Sequence, residues 1–145
     1  MLDPTDHSGA FRGRDKLYEH LDTLIKNAQK SITIVTTAQG LKRKSDEFRS
    51  GLEKAMRRGV TVRFAANAHA DDLKVLAKQL TGADVRQTDK SSRFCIVDSK
   101  ELMLMLTDDS TVHESFDSGI WVSTPYFVKN FEQMFDRDWK EMKKL

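Results

Sequence analysis

Hydrophobic side chains recur along the chain with two periods, and the switching between them predicts the order of elements. From Arg14 onward, Leu17, Leu21, Leu24, Ile25 and Ala28 follow at steps of four, three, one and three, which lines one face of a helix. Residues 31–37, Ser-Ile-Thr-Ile-Val-Thr-Thr, are β-branched and bounded by Gln39-Gly40, so they read as a strand. Ser45 suits the N-cap of a second helix carrying Phe48, Leu52, Ala55 and Met56 on one face, closed by Arg57, Arg58 and Gly59. A strand over 60–66 follows at once. A third helix begins near Asp71, with Leu73, Leu76, Ala77 and Leu80 on its face and Gly82 as its stop, and residues 83–88 suit a short edge strand. Two apolar runs, 93–97 and 102–106, flank Asp98-Ser99-Lys100-Glu101 and read as the strands of a hairpin. An acidic loop over 108–117 leads to a last strand, 119–122. A closing helix over 125–143, with Pro125 in its first turn, places Phe127, Phe131, Met134, Phe135 and Met142 on its buried stripe.

Strands joined through helical crossovers are expected to be parallel, while the turn at Asp98 supplies an antiparallel pair. The order therefore predicts an α/β protein, a three-layer α/β/α sandwich with a mixed sheet. A chain of 145 residues is one domain in size. Residues 1–10, polar and without periodicity, read as a linker or flexible N-terminal segment, and 11–145 as the domain.

With 24 basic residues against 22 acidic ones the net charge is only +2, which argues against a dominant nucleic-acid face. The basic cluster of Lys42, Arg43, Lys44, Arg49, Lys54, Arg57 and Arg58 is interrupted by Asp46, Glu47 and Glu53 and reads as a solvated helix face. The one cysteine, Cys95, lies in an apolar strand pattern, so it is expected to be a buried core thiol rather than part of a disulfide framework. No run approaches the ~20 apolar residues that span a bilayer, and the expected setting is cytoplasmic with no membrane contact. His7, His20, His69 and His113 show no metal-ligand spacing, and neither a metal nor a cofactor is expected. Trp121, Trp139, Phe131 and Phe135 have strand or helix spacing and are assigned to core packing.

The segment Ser91-Ser92-Arg93-Phe94-Cys95-Ile96-Val97-Asp98 carries the most specific signal. Its spacing, Ser91-x-Arg93-x4-Asp98, resembles the H-x-K-x4-D signature of the phospholipase D superfamily with only the aspartate kept. The resemblance implies a histidine that attacks phosphorus, a lysine that binds phosphate oxygens and an aspartate that orients the imidazole. Serine at the first position has neither a pKa near neutrality nor an adjacent base to activate it. The Gly-Ser pair that an active relative carries after the next strand is also missing, since Met105-Leu106-Thr107 stands there.

Over residues 11–143 the chain resembles the phospholipase D-like domain of the archaeal TrmB family of sugar-responsive transcriptional regulators. The matching pieces are Phe11-Arg12-Gly13-Arg14, Ala28-x-x-Ser31-Ile32, Arg58-Gly59-Val60-x-Val62-Arg63, Ile96-Val97-Asp98, Ile120-Trp121 and Phe135-x-x-x-Trp139. The resemblance implies a phospholipase D-like fold and a non-catalytic effector-sensing or dimerisation domain. Alternatives are a phosphodiesterase or nuclease with a non-standard active site, and a pure scaffold. Because the superfamily brings two motif copies together and this chain holds one, a homodimer with the region of Arg93 and Asp98 near its axis is expected. A small effector such as a sugar or anion is a further expected partner, and DNA only through a module outside this sequence.

Residues two apart on a strand share a face, so Ser91 and Arg93 are candidates to converge on a ligand. Arg93 is a bidentate donor suited to carboxylate or phosphate. The structural alternative is an ion pair to Asp98 or another acid of the vestigial cleft. Thr36, Thr37 and Asn67 fall at the carboxyl ends of parallel strands, where open α/β sheets hold ligands, or else they satisfy turn backbone. The candidate ligand set is thus Arg93, Asp98, Ser91, Thr36, Thr37 and Asn67, and on that reading Arg93 is dispensable to the fold.

Overall fold

The computed structural model describes residues 8–145. In chain order the elements are β1 (Ser8–Arg12), α1 (Arg14–Asn27), β2 (Ser31–Thr37), α2 (Ala38–Arg57), β3 (Thr61–Asn67), α3 (Ala70–Gln79), β4 (Asp84–Gln87), β5 (Phe94–Val97), β6 (Glu101–Met105), β7 (Ser118–Val122), α4 (Pro125–Glu141) and β8 (Lys143–Lys144). The strands form one sheet in the order β1-β7-β6-β5-β2-β3-β4-β8. β2, β3 and β4 are parallel neighbours, as their helical crossovers require, and every other pairing is antiparallel.

Two apolar layers sandwich this sheet. Leu17, Leu21, Phe48, Leu52, Leu73 and Leu76 of α1, α2 and α3 pack on Ile32, Ile34, Phe64 and Cys95 on one face. On the other face, among the described residues, α4 alone packs Val128, Phe135 and Trp139 on Val35, Ala65, Phe94 and Ile96. Successive strand residues such as Ile34 and Val35 face opposite layers, which is why the central strands read as continuous apolar runs. Arg63 ties α4 down: it pairs with Asp136 at 2.8 Å while its guanidinium lies over the rings of Phe135 and Trp139. Trp139 and Phe135 are buried, and Phe131 packs against them. Trp121 packs instead against the larger layer, beside His20. Cys95 is a buried free thiol, which burial pushes up to about 12.

Four local expectations are corrected. Of the segment read as a linker, residues 1–7 lie outside the described residues, while Ser8, Gly9 and Ala10 belong to β1 and pair with β7. Phe11 anchors that strand by stacking on His20, with ring centroids 4.9 Å apart. The strand after Gly82 is not an edge, because β8 adds two residues outside β4. α2 starts directly after β2, with the Thr37 hydroxyl accepting from the Gly40 amide, so Ser45 is not its N-cap but an interior residue bonded to the Lys42 carbonyl. The strand read over 60–66 runs Thr61–Asn67, and the one read over 93–97 begins at Phe94.

Candidate functional site

Arg93 enters the sheet one residue before β5, and its carbonyl still accepts from the Met105 amide of β6. That backbone position turns its side chain to the α1–α2 face, where it is 3% exposed. Its Nη1 and Nη2 donate to Oδ1 and Oδ2 of Asp117, each at 2.9 Å, and Nη1 also donates to the Thr107 carbonyl at 2.8 Å. Asp117 further accepts from Arg14 Nε at 3.0 Å and from the Thr107 hydroxyl at 2.7 Å. Burial alone would raise the Asp117 carboxyl, but the bonds from Arg93, Thr107 and Arg14 outweigh it and hold it well below the usual carboxylate range.

A second carboxylate completes the cluster. Asp109 accepts from the Thr37 hydroxyl at 2.9 Å to each oxygen and from Arg43 Nη2 at 2.6 Å, with Arg93 Nε 3.5 Å away. Beside it Lys44, 1% exposed, donates to the Thr36 hydroxyl at 3.1 Å and lies 5.5 Å above the Tyr18 ring. Burial, with the Arg93 and Arg43 charges, brings the Lys44 amine down to about 7 against the opposing pull of Asp109 and Asp117. The helix has to come this close: a Cβ on Gly40 would collide with Thr36 Oγ1 and stand 3.3 Å from both Lys44 Nζ and Asp109 Oδ2. Three guanidinium cations, Arg14, Arg43 and Arg93, thus share two carboxylates, with the buried Lys44 amine beside them.

Asp98 is not part of this cluster. It lies at the opposite end of β5, where Asp98 and Ser99, with φ of 56° and 58°, open the three-residue turn through Lys100 into β6. Its carboxylate accepts from the amides of Gln29, Lys30 and Ser31 at 2.7–3.2 Å and pins the hairpin to the chain entering β2. The expected Arg93–Asp98 pair is therefore replaced by Arg93–Asp117, since four strand residues separate the motif ends. Nor do Ser91 and Arg93 share a site: Ser91 stays in the exposed loop before β5, 3.5 Å from the Asn67 amide nitrogen, which also donates to the Asp89 carbonyl. Thr36 and Thr37 are brought to the Arg93 cluster, the latter also serving as the cap of α2.

Sequence reasoning missed Asp109, Asp117 and Lys44. Lys44 was grouped with a solvated face, whereas it is among the most deeply buried side chains. A signal for the carboxylates was present in the acidic loop over 108–117, but nothing local marks which of its acids turns inward. Among the described residues, no group of three or more His, Cys, Asp or Glu side chains is placed to hold a metal ion, and no helix is long and apolar enough to cross a membrane.

This sheet order and the degenerate motif flanking β5 define a phospholipase D-like α/β fold. Nuc from Salmonella typhimurium, a phospholipase D family member, superposes with a TM-score of 0.68 at 15% identity, covering 95% of this chain and 98% of that one. NucT from Helicobacter pylori does so at 0.70 and 11% identity, over the same shares. TrmBL2, described as an archaeal chromatin protein with a novel mode of DNA binding, gives a TM-score of 0.74 at 18% identity and covers all of this chain. The chain spans 57% of the length of TrmBL2. No curated protein matches the sequence. The family model for the N-terminal subdomain of the effector-binding domain (EBD) of the transcriptional regulator TrmB matches residues 10–145, and the chain belongs to that family.

Proposed function

We propose that the chain is a non-catalytic effector-sensing domain of a TrmB-like transcriptional regulator, working in an archaeal cytoplasm with DNA read by a module outside this sequence. The observation that carries this reading is the fate of Arg93. At the place where the superfamily motif has a phosphate-binding lysine, the guanidinium is spent on Asp117 and the Thr107 carbonyl. Ser91, at the place of the nucleophilic histidine, is exposed and has no base beside it. A cavity of about 470 Å3 whose lining includes Asn67, Gln87, Thr88, Lys90 and Asp138 supports effector binding at the carboxyl ends of β3 and β4.

Two measurements test the reading. A thermal-shift screen of sugars, sugar phosphates and nucleotides is expected to give a hit, worth roughly 2.7 kcal/mol at a hundredfold excess over Kd. A screen without hits at millimolar concentration would favour a pure scaffold. Hydrolysis of a generic phosphodiester is expected to stay at the buffer blank, and turnover by the pure protein would establish the phosphodiesterase alternative.

Self-association is the second role proposed. Phe127 and Met134, expected on the buried stripe of α4, are exposed together with Tyr126, and they support an apolar contact between copies through α4 rather than near Arg93 and Asp98. Light scattering at high micromolar concentration should give a dimer mass, and a strictly monomeric mass would remove this role.

A further inference from the structure

Between Leu106 and Phe116 the chain runs exposed or half-buried at every residue but one, and the exception is a carboxylate, Asp109. Its side chain is fully out of water. An exposed loop gains nothing from burying an acid unless the receiving surface demands an anion, because desolvating a carboxylate is costly. The receiving surface does. Asp109 lies against the first turn of α2, a twenty-residue helix whose terminus favours negative charge. It meets the Thr37 hydroxyl and Arg43, and Arg93 Nε, buried and without a hydrogen bond of its own, faces it at 3.5 Å. Even with Asp109 in place the cluster holds more cations than carboxylates. The unsatisfied Arg93 Nε shows that Asp109 fills the anion position imperfectly, as a side chain tethered in a loop would.

We propose that Asp109 is an internal plug in an anion-binding site, and that a small free oxyanion, a phosphate or carboxylate group, displaces it and swings the 106–116 loop outward. This rests on the effector reading and goes beyond it: the site lies on the α1–α2 face, apart from the cavity at the ends of β3 and β4, and the ligand chemistry and the moving element are named. A way in exists beside the plug: a cavity of about 900 Å3 is lined by Arg14, Tyr18 and Arg43 on one side and by His113, Glu114 and Ser115 of the same loop region on the other. Its exposed Asp15, Glu19, Asp46 and Glu47 disfavour any anion at the rim, so the attraction for the ligand comes from Arg14 and Arg43. Opening the loop converts occupancy into a change of surface next to α1 and α2.

The test uses the 145-residue chain with inorganic phosphate as probe and chloride at matched ionic strength as control. Asp109→Asn keeps the shape but removes the competing charge, and its phosphate affinity by calorimetry is expected to exceed wild type by about tenfold, a difference of roughly 1.4 kcal/mol. Adding Arg43→Ala should cancel the gain. In wild type, phosphate should accelerate protease cleavage within 106–116. A folded Asp109→Asn protein with unchanged phosphate affinity overturns the plug, as does a gain that survives Arg43→Ala. Should the variant not fold, wild-type cleavage decides, and a phosphate-insensitive loop overturns the proposal. A metabolite hit in the thermal-shift screen alongside a phosphate-blind Asp109→Asn would reject the plug while leaving the effector reading standing.

Discussion

Arg93 holds Asp117 by two parallel hydrogen bonds of 2.9 Å, with 3% of the guanidinium side chain and none of the carboxylate side chain reaching solvent. This pair joins the start of β5 to the loop before β7, and through Arg14 it also reaches the first turn of α1. It makes Arg93 part of the fold, contrary to the expectation that the residue is dispensable. Arg93→Ala leaves Asp117 buried beside only Arg14 and Thr107, and should cost roughly 3–5 kcal/mol in chemical denaturation. Arg93→Lys should recover only part of that, because a point charge cannot reproduce the fork.

Asp98 is expected to act on stability and not on ligand binding. Burial opposes its ionisation, but the amides of Lys30, Ser31 and Gln29 together lower its pKa below the usual value. A depressed carboxylate contributes stability that is present above the unfolded pKa of about 4 and is lost as pH falls through the folded value. Asp98→Ala should cost about 1–3 kcal/mol at pH 7 and flatten the acid limb of a stability profile measured from pH 6 to pH 2. A phosphate or metabolite response should survive the substitution.

Lys44 has the opposite sign. Its folded pKa of about 7 lies below the unfolded value near 10.5, so the unfolded chain binds more protons between them. Stability is therefore expected to rise with pH across that window, the cost of the buried ammonium being fully present below pH 7. Lys44→Met, close in length and apolar, should remove this slope and stabilise the protein by roughly 1–4 kcal/mol at pH 6. Denaturation midpoints at pH 6 and pH 9 for both proteins check it, and equal slopes would show that Lys44 is not the titrating group.

On the other face of the sheet, Phe135 stands edge-on to Phe94, 5.1 Å between centroids, and beneath the Arg63 guanidinium. Phe135→Ala opens a cavity under α4, which covers that layer, and should cost about 3–5 kcal/mol. Near-ultraviolet dichroism should report the loosened packing of Trp139.

Local pattern by itself determined the helices α1, α3 and α4, the strands β2 and β3, the hairpin at Asp98 and the parallel-to-antiparallel change in the sheet. Each rests on a period or a turn that a few neighbouring residues express. The start of α2 was illegible because Gly40 and Lys44 break its apolar stripe: the helix packs there on a threonine and a carboxylate, and apolar periodicity marks only apolar packing. The family resemblance was readable from strand-flanking pieces such as Ile96-Val97-Asp98. The partner of Arg93 was not, since Asp98, Asp108, Asp109 and Asp117 are equivalent as local sequence. Only the tertiary structure chose among them. Pairing of β6 with β7 returns the loop over 106–117 to the end of β5 where Arg93 lies, whereas Asp98 is carried to the far end of the strand, and Coulomb attraction acts between groups that the fold has already brought within a few ångströms.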